Sequence, residues 1–121
     1  FDQAFYALMT DLAQTGELAE TLVVVASEFG RSPKVTLKNG GREHWPELYN
    51  VLLAGAGIQG GQVYGASDRL GAYPAENPVG PADFVATIYH MLGIDPHTEL
   101  RDPQDRPFQL SKGNPFPLQM S

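Results

Sequence analysis

The residues best suited to chemistry lie in two short segments, Ser27–Pro33 and Arg42–Pro46. Glu28 follows an apolar run that ends at Ala26, and His44 precedes a second apolar run. A carboxylate and a neutral imidazole together suit zinc, manganese or iron. Since ligands of open α/β sheets bind beyond the carboxyl ends of strands, the sequence predicts that both side chains reach one sheet edge and share a divalent metal ion. An acid at a strand end also occurs as a cap or a solvated charge, which is the alternative.

Basic residues are concentrated around this pair. Half of the eight Lys and Arg residues of the chain lie in one stretch, as Arg31, Lys34, Lys38 and Arg42. The whole chain has 14 acidic residues and a formal charge of -6, which argues against nucleic acid and an anionic membrane as partners. Local positive charge on an acidic protein predicts a small anionic ligand, and a solvated basic loop is the alternative.

Several familiar sites are excluded by the sequence. The chain has no Cys, so thiolate metal sites, disulfides and a Cys nucleophile are absent. It contains no Gly-x-Ser-x-Gly elbow, no phosphate-binding Gly-Lys-Ser/Thr loop and no His-Glu-x-x-His helix. The segment Gly55–Gly60 matches a dinucleotide fingerprint, but the Gly-rich segment Gly61–Gly65 follows it where a helix is required.

The elements that position these residues alternate between helix and strand. In chain order the sequence predicts a helix from Phe1 that stops at Gly16, a strand Leu22–Ala26, a loop Ser27–Pro46, a strand Val51–Ala54 and a helix from Pro81 to Gly93. Both strands are continuous apolar runs, typical of strands buried on both faces of a parallel sheet. Such a set describes half of a doubly wound α/β sheet, so we expect a fragment of a larger domain.

The two helices have periodic apolar faces. The first face consists of Phe1, Phe5, Leu8, Met9 and Leu12, and the last consists of Phe84, Val85, Ile88, Met91 and Leu92. Pro81 fits the first position of the last helix and Asp83 its first turn. His90 lies off the apolar face, and His97 is expected to cap a turn in the Pro-rich tail.

Longer segments of the chain resemble a bacterial family known as domain of unknown function 1501. The resemblance begins with Leu22–Pro33 and Arg42–Pro46. Four further segments follow the family pattern in order: Leu53–Ile58, Gly61–Gly65, Pro74–Pro78 and Leu92–Pro96. It therefore covers nearly the whole chain, and the combination is more specific than any single segment.

That family is similar to the alkaline phosphatase and sulfatase superfamily, which hydrolyses phosphate or sulfate esters at one or two metal ions. The resemblance implies an α/β fold, the C-terminal part of a helix-sheet-helix sandwich with a mostly parallel sheet. Residues 1–121 would be the C-terminal part of a single hydrolase-like domain, with 95–121 as an extended tail. It also implies a divalent metal cofactor (zinc, manganese or similar) and an exported or periplasmic location.

The resemblance assigns roles to individual residues. An Asp-His-Gly stretch and a later His bind metal in the superfamily, and the corresponding residues are Glu28, Phe29 and His44. Phe29 departs from this pattern because a benzyl side chain cannot coordinate a metal. Arg31 would assist catalysis by binding the oxyanions of a small anionic ester. The remaining ligands and the nucleophile are expected in the upstream part of the same parent protein, so we expect the chain alone to be inactive.

Two other functions remain open at this point. One is a non-catalytic binding or assembly protein that keeps the sulfatase-like fold, which the Phe29 substitution favours. The other is a carbohydrate-binding module with Trp45, Tyr49 and Tyr64 as stacking rings, although such aromatic residues are more often part of a core.

Overall fold

The computed structural model of the protein describes residues 1–38 and 40–120, which form two helices and eight short strands. In chain order these are α1 (Asp2–Thr15), β1 (Leu22–Val25), β2 (Gly30–Arg31), β3 (His44–Trp45), β4 (Leu52–Gly55), β5 (Ala66–Ser67), β6 (Pro74–Glu76), α2 (Pro81–Met91), β7 (Glu99–Arg101) and β8 (Pro107–Gln109). The chain divides into two compact units, Phe1–Glu76 with the chain end from Gln119, and Asn77–Leu118.

The described strands form four antiparallel pairs: β1 with β4, β2 with β3, β5 with β6, and β7 with β8. The mostly parallel sheet of a larger sandwich therefore stays a prediction, as does the assignment of residues 1–121 to one domain. Among the described residues, no helix is both long enough and apolar enough to cross a bilayer.

The first predicted helix is confirmed. It ends at Gly16, whose φ of 81° is left-handed and whose N–H donates to the Ala13 carbonyl at 3.3 Å. Its apolar face is not buried within the described chain, since Phe5 is only half-buried and Phe1 is 82% exposed. The helix thus presents an apolar stripe that this unit does not cover.

Strands β1 and β4 lie where the sequence places them, and Val24 pairs with Leu53 at the centre of their register. The expectation that β1 is buried on both faces is wrong for this chain, because Val24 is 37% exposed. The physical reason is that β1 has a single hydrogen-bonded neighbour among the described strands. A two-stranded sheet covers little of its own surface.

The unit Asn77–Leu118 is built around α2, which begins at Pro81 as predicted. The Asp83 carboxylate accepts a hydrogen bond from the Gly80 N–H at 3.3 Å. The predicted apolar face is not the buried one, because the fully buried positions of α2 are Ala86 and Thr87. The segment around Phe116 approaches α2 through its backbone, and the N–H of Phe116 donates to Thr87 Oγ1 at 3.1 Å. Such a close approach requires small side chains on this face of the helix.

The tail from residue 95 is extended and turn-rich, and it includes the β7–β8 hairpin, which the sequence did not predict. Pro96 and Gly113 are buried in this tail. Gly113 allows a close approach, since a Cβ there would overlap the backbone of Ala82 and Asp83. Among the described apolar residues, only Ala72 and Ala86 are buried. Each unit is therefore held mainly by hydrogen bonds and by contacts between half-buried side chains.

Candidate anion-binding site

A hairpin formed by residues 30–38 and 40–45 carries the site, within the segment predicted to be a loop. Strands β2 and β3 pair Gly30 with Trp45 and Arg31 with His44. The pairing continues toward the tip, where the Ser32 N–H donates to the Glu43 carbonyl at 2.9 Å. The hairpin is therefore ordered well beyond its two short strands.

The base of the hairpin is fixed by contacts of Trp45 and Gly30. The indole N–H of Trp45 donates to the Ala72 carbonyl at 2.6 Å, and the ring meets the edge of Tyr73 with centroids 5.6 Å apart. Gly30 passes so close to the Leu48 carbonyl that a Cβ would overlap it. Trp45 thus anchors β3 and does not offer an open face on which a sugar could stack. This contact argues against the hypothesis of a carbohydrate-binding module.

Phe29, Arg31 and His44 form a cluster at this base. The rings of Phe29 and His44 are stacked, with centroids 4.0 Å apart and planes inclined by 29°. The guanidinium carbon of Arg31 lies over the Phe29 ring, 5.6 Å from its centroid. Since Arg31 and His44 are directly opposed in the register, their side chains leave the hairpin on the same face. Phe29 therefore orients two nitrogen-bearing side chains side by side.

The serines of the hairpin are used to hold its shape. Ser32 is buried, and its hydroxyl donates to the Lys34 carbonyl at 2.8 Å and accepts from the Glu43 N–H at 3.2 Å. The Ser27 hydroxyl donates to the Phe29 carbonyl at 3.1 Å. Both hydroxyl protons are engaged by backbone carbonyls, so neither serine is arranged as an activated nucleophile.

The basic side chains of the hairpin outnumber its one carboxylate, Glu43, and form no ion pair with described residues. Its four cations are exposed: Arg31, Lys34, Lys38 and Arg42. Every ion pair between described residues lies within 95–106, and none involves these cations. Arg31 Nη1 donates to the Arg42 carbonyl at 3.4 Å, which uses one of five guanidinium donors. The hairpin is therefore a cationic surface on an acidic protein.

The predicted site residues are brought together in part. Arg31 and His44 are direct neighbours, whereas exposed Glu28 is linked to them through the next residue, Phe29. Within residues 1–38 and 40–120, no three His, Asp, Glu or Cys side chains gather as metal ligands. A metal shared by Glu28 and His44 stays a prediction, and it would need further ligands.

The other two histidines are not part of this cluster. His90 is exposed on α2, as expected. The ring Nε2 of His97 donates to the Gly113 carbonyl at 3.1 Å, while the turn is capped by Asp95, whose Oδ1 accepts from the His97 N–H at 2.9 Å. The sequence thus located the turn but assigned its cap to the wrong residue.

The segment that matches a dinucleotide fingerprint also behaves as predicted. Gly55, Ala56 and Gly57 have positive φ values of 79°, 49° and 79°, and they form a tight turn directly after β4. Among the described residues the next element after this turn is strand β5, so the turn does not lead into a helix N-terminus.

Sequence reasoning missed the hairpin pairing and the contacts of Phe29. A signal was present in the adjacent Gly40 and Gly41, since paired turn residues between two short segments favour a hairpin. Phe29 was noted only as a residue that cannot bind metal, and its contact with His44 depends on a register that the sequence does not state.

Comparison with known proteins gives one match. The family model described as "Protein of unknown function (DUF1501)" matches residues 1–118. No curated protein and no solved structure matches the chain.

Proposed function

Because this chain belongs to the DUF1501 family, we propose that it forms the anion-binding part of a hydrolase site for sulfate or phosphate esters. The proposal includes a place for the family in the alkaline phosphatase and sulfatase-like superfamily. It also includes the C-terminal part of the corresponding sandwich as the fold. The order of Glu28 and Phe29 after β1, and of His44 before β4, supports this relationship.

The observation that carries the proposal is the pairing of Arg31 with His44 on one face of the hairpin. A guanidinium offers donors in a fixed fork, and an imidazole adds another nitrogen beside it. Tetrahedral oxyanions accept several such hydrogen bonds at once, and each is strengthened by charge. This pair is therefore suited to hold the non-reacting oxygens of an ester.

Phe29 has a defined part in this arrangement. Its ring stacks on His44 at 4.0 Å and lies under the Arg31 guanidinium at 5.6 Å, so it limits the rotamers of both side chains. Preorganised donors bind an anion with less loss of side-chain entropy. The ring also excludes water from one side of the imidazole.

The described residues do not by themselves fit a metal ion, because Glu28 and His44 offer two donors and metal sites of this class use about three or four protein ligands. The proposal therefore assigns the remaining ligands to the upstream part of the parent protein. The residues of this chain bind and orient the ester, and the nucleophile comes from elsewhere. Exposed apolar residues support such a partner, since Phe1 on α1 is 82% exposed.

A second function is favoured by the same ring contact. Phe29 occupies the space beside His44 with a group that cannot coordinate a metal. A non-catalytic binding protein that retains the sulfatase-like fold would keep the anion site and need no metal. The two functions differ in metal content and turnover, and they share the Arg31 and His44 site.

Sulfate titration followed by NMR tests the shared site. Arg31→Gln is expected to weaken sulfate binding about tenfold, since a charge-assisted hydrogen bond contributes about 1.5–3 kcal/mol. Arg69→Gln is the matched control, because Arg69 is an exposed arginine outside the hairpin. Equal effects of the two variants would contradict the proposal.

Metal analysis of the parent protein, with assays on chromogenic sulfate and phosphate esters, separates the two functions. Bound zinc or manganese together with turnover that Arg31→Gln reduces supports the hydrolase. Sulfate binding by a parent protein that retains no metal and gives no turnover supports the binding protein. The isolated chain is expected to bind sulfate without turnover. Turnover by the chain alone that Glu28→Ala abolishes would show that its site is complete.

A further inference from the structure

The cations of the hairpin are spread over a longer distance than one ester group spans. Arg31 lies at the β2–β3 rung, and Lys38 lies beyond the bridge between Thr36 and Gly41. Gly41 and His44 are three positions apart on the shorter side, so the two ends of the hairpin are on the order of 10 Å apart. A charge-assisted hydrogen bond needs about 2.8 Å. An ester held by Arg31 and His44 therefore leaves the other cations for additional negative charges.

Alternation along the hairpin puts one more cation beside the ester site. Arg42 and His44 are two residues apart, and the Ser32–Glu43 hydrogen bond continues the ladder between them. Side chains two positions apart in an extended segment lie on the same face. Arg31, His44 and Arg42 thus form a row on one face of the hairpin, and Lys34 and Lys38 follow in the segment that leads to its tip.

We propose that this row binds a linear anionic polysaccharide that carries ester groups on successive units. One ester lies at Arg31 and His44, and its neighbours contact Arg42, Lys34 and Lys38. The inference rests on the proposed function and names the class of substrate. Uncompensated cations on a protein of net charge -6 are the feature that such a polyanion would neutralise.

A nucleic acid fits the same surface less well. Single-stranded nucleic acids bind through aromatic platforms on which bases stack. No Phe, Tyr or Trp lies between Arg31 and His44 in the sequence, and both flanking rings are engaged: Phe29 is stacked on His44, and the Trp45 indole N–H donates to the Ala72 carbonyl. Esters on successive sugar units need only cations at intervals, which the hairpin provides.

Calorimetric titration of the intact protein tests the inference with two probes, inorganic sulfate and a heparin hexasaccharide. The variant Lys34→Gln with Lys38→Gln removes two exposed cations that lie outside the Arg31 and His44 pair. The control, Arg69→Gln with Lys112→Gln, removes the same charge from exposed positions outside the hairpin. We expect the first variant to weaken hexasaccharide binding about tenfold, with a shallower salt dependence because fewer counterions are released. Its sulfate affinity should change less than about twofold, since a distant exposed charge is screened.

The outcomes separate this inference from the function on which it rests. An equal loss of hexasaccharide affinity in the Lys pair and the control pair would overturn the polysaccharide and leave the sulfate site intact. A single-stranded oligonucleotide of the same charge that binds as tightly as the hexasaccharide would also overturn it. Sulfate binding that is unaffected by Arg31→Gln would overturn the proposed function, and with it the placement of an ester at Arg31.

Discussion

The hairpin leaves its basic side chains without ion pairs among the described residues, whereas the unit Asn77–Leu118 bonds buried polar side chains to its own backbone. In the unit around α2, Asp83, Thr87 and Ser111 all bond to backbone groups, with Ser111 Oγ donating to the Ala82 carbonyl at 2.8 Å. In the hairpin, Lys34 and Lys38 have exposed side chains without an ion pair among the described residues. Polar groups bonded internally stabilise a fold, whereas exposed cations remain available to a ligand.

The difference is also visible in the two histidines that make defined contacts. The ring of His97 donates to the Gly113 carbonyl and so fastens the tail. The ring of His44 packs on Phe29 beside a guanidinium, and no hydrogen bond of its nitrogens is found among the described residues. Substitutions in the α2 unit should therefore lower stability, and substitutions in the hairpin should lower ligand affinity.

The largest expected effect is at Gly113. Gly113→Ala forces a Cβ into the backbone of Ala82 and Asp83, and neither group can move without distorting the first turn of α2. We expect a loss of about 3 kcal/mol in the free energy of unfolding, at the upper end for an overpacked site. Urea unfolding followed by circular dichroism measures it. Gly60→Ala is the control, because open space surrounds that position. Equal stability of the two variants would contradict the close approach.

Thr87→Val tests how much one buried hydroxyl contributes to the stability of the α2 unit. Thr87 is 1% exposed, donates to the Asp83 carbonyl at 2.7 Å and accepts from the Phe116 N–H. Valine keeps the volume and removes both hydrogen bonds of a buried hydroxyl, at a cost of about 2 kcal/mol. Thr15→Val is the matched control, since Thr15 also donates to the carbonyl four residues earlier but is exposed. Losses of the same size would show that burial at Thr87 is not the cause.

The contrast between the two regions also explains what the sequence could predict. Helices α1 and α2 and strands β1 and β4 follow from apolar periodicity, from Gly16 and from Pro81, which are local signals. The buried face of α2 was predicted wrongly, because the backbone near Gly113 selects small residues and this contact is distant in sequence.

For the candidate site, too, the sequence predicted some features and not others. Residue types and their order in the chain identified Glu28, Arg31 and His44 as candidates. The stacking of Phe29 on His44 depends on the register of a hairpin within a segment that lacks an apolar pattern. Periodicity carries no information about such a register.

A smaller effect is expected for His44 and Glu28. His44→Ala removes a stacked ring pair, which contributes about 1 kcal/mol, and thermal unfolding should show a loss of that size. Glu28→Ala should change stability by less than about 0.5 kcal/mol, because an exposed side chain that makes no ion pair with described residues contributes little. Loss of folded structure in both variants would mark these residues as structural and remove the contrast with the α2 unit.

The smallest expected effect is a pH dependence at the turn between β7 and β8. The N–H of Arg106 donates to Asp102 Oδ1 at 2.9 Å, and its Nε donates to Oδ2 at 2.6 Å. The hydrogen bond from the Arg106 N–H makes the largest contribution to lowering the pKa of Asp102 below its ordinary value of 3.8. Burial raises this pKa, whereas the hydrogen bonds from the Arg106 side chain and the Gln104 N–H lower it further.

A carboxyl whose pKa is lowered by folding stabilises the fold above its unfolded pKa, and this contribution is lost as the pH falls through the folded value. The β7–β8 hairpin should therefore loosen below pH 3.8, and amide signals of Leu100 and Phe108 followed from about pH 5 to about pH 2 would show it. Asp102→Asn should remove this step, because the amide cannot ionise. Asp105→Asn should retain it, since Asp105 lies in the same turn with its side chain 81% exposed beside Arg101. A step that survives in Asp102→Asn and disappears in Asp105→Asn would assign the acid sensitivity to the exposed ion pair instead.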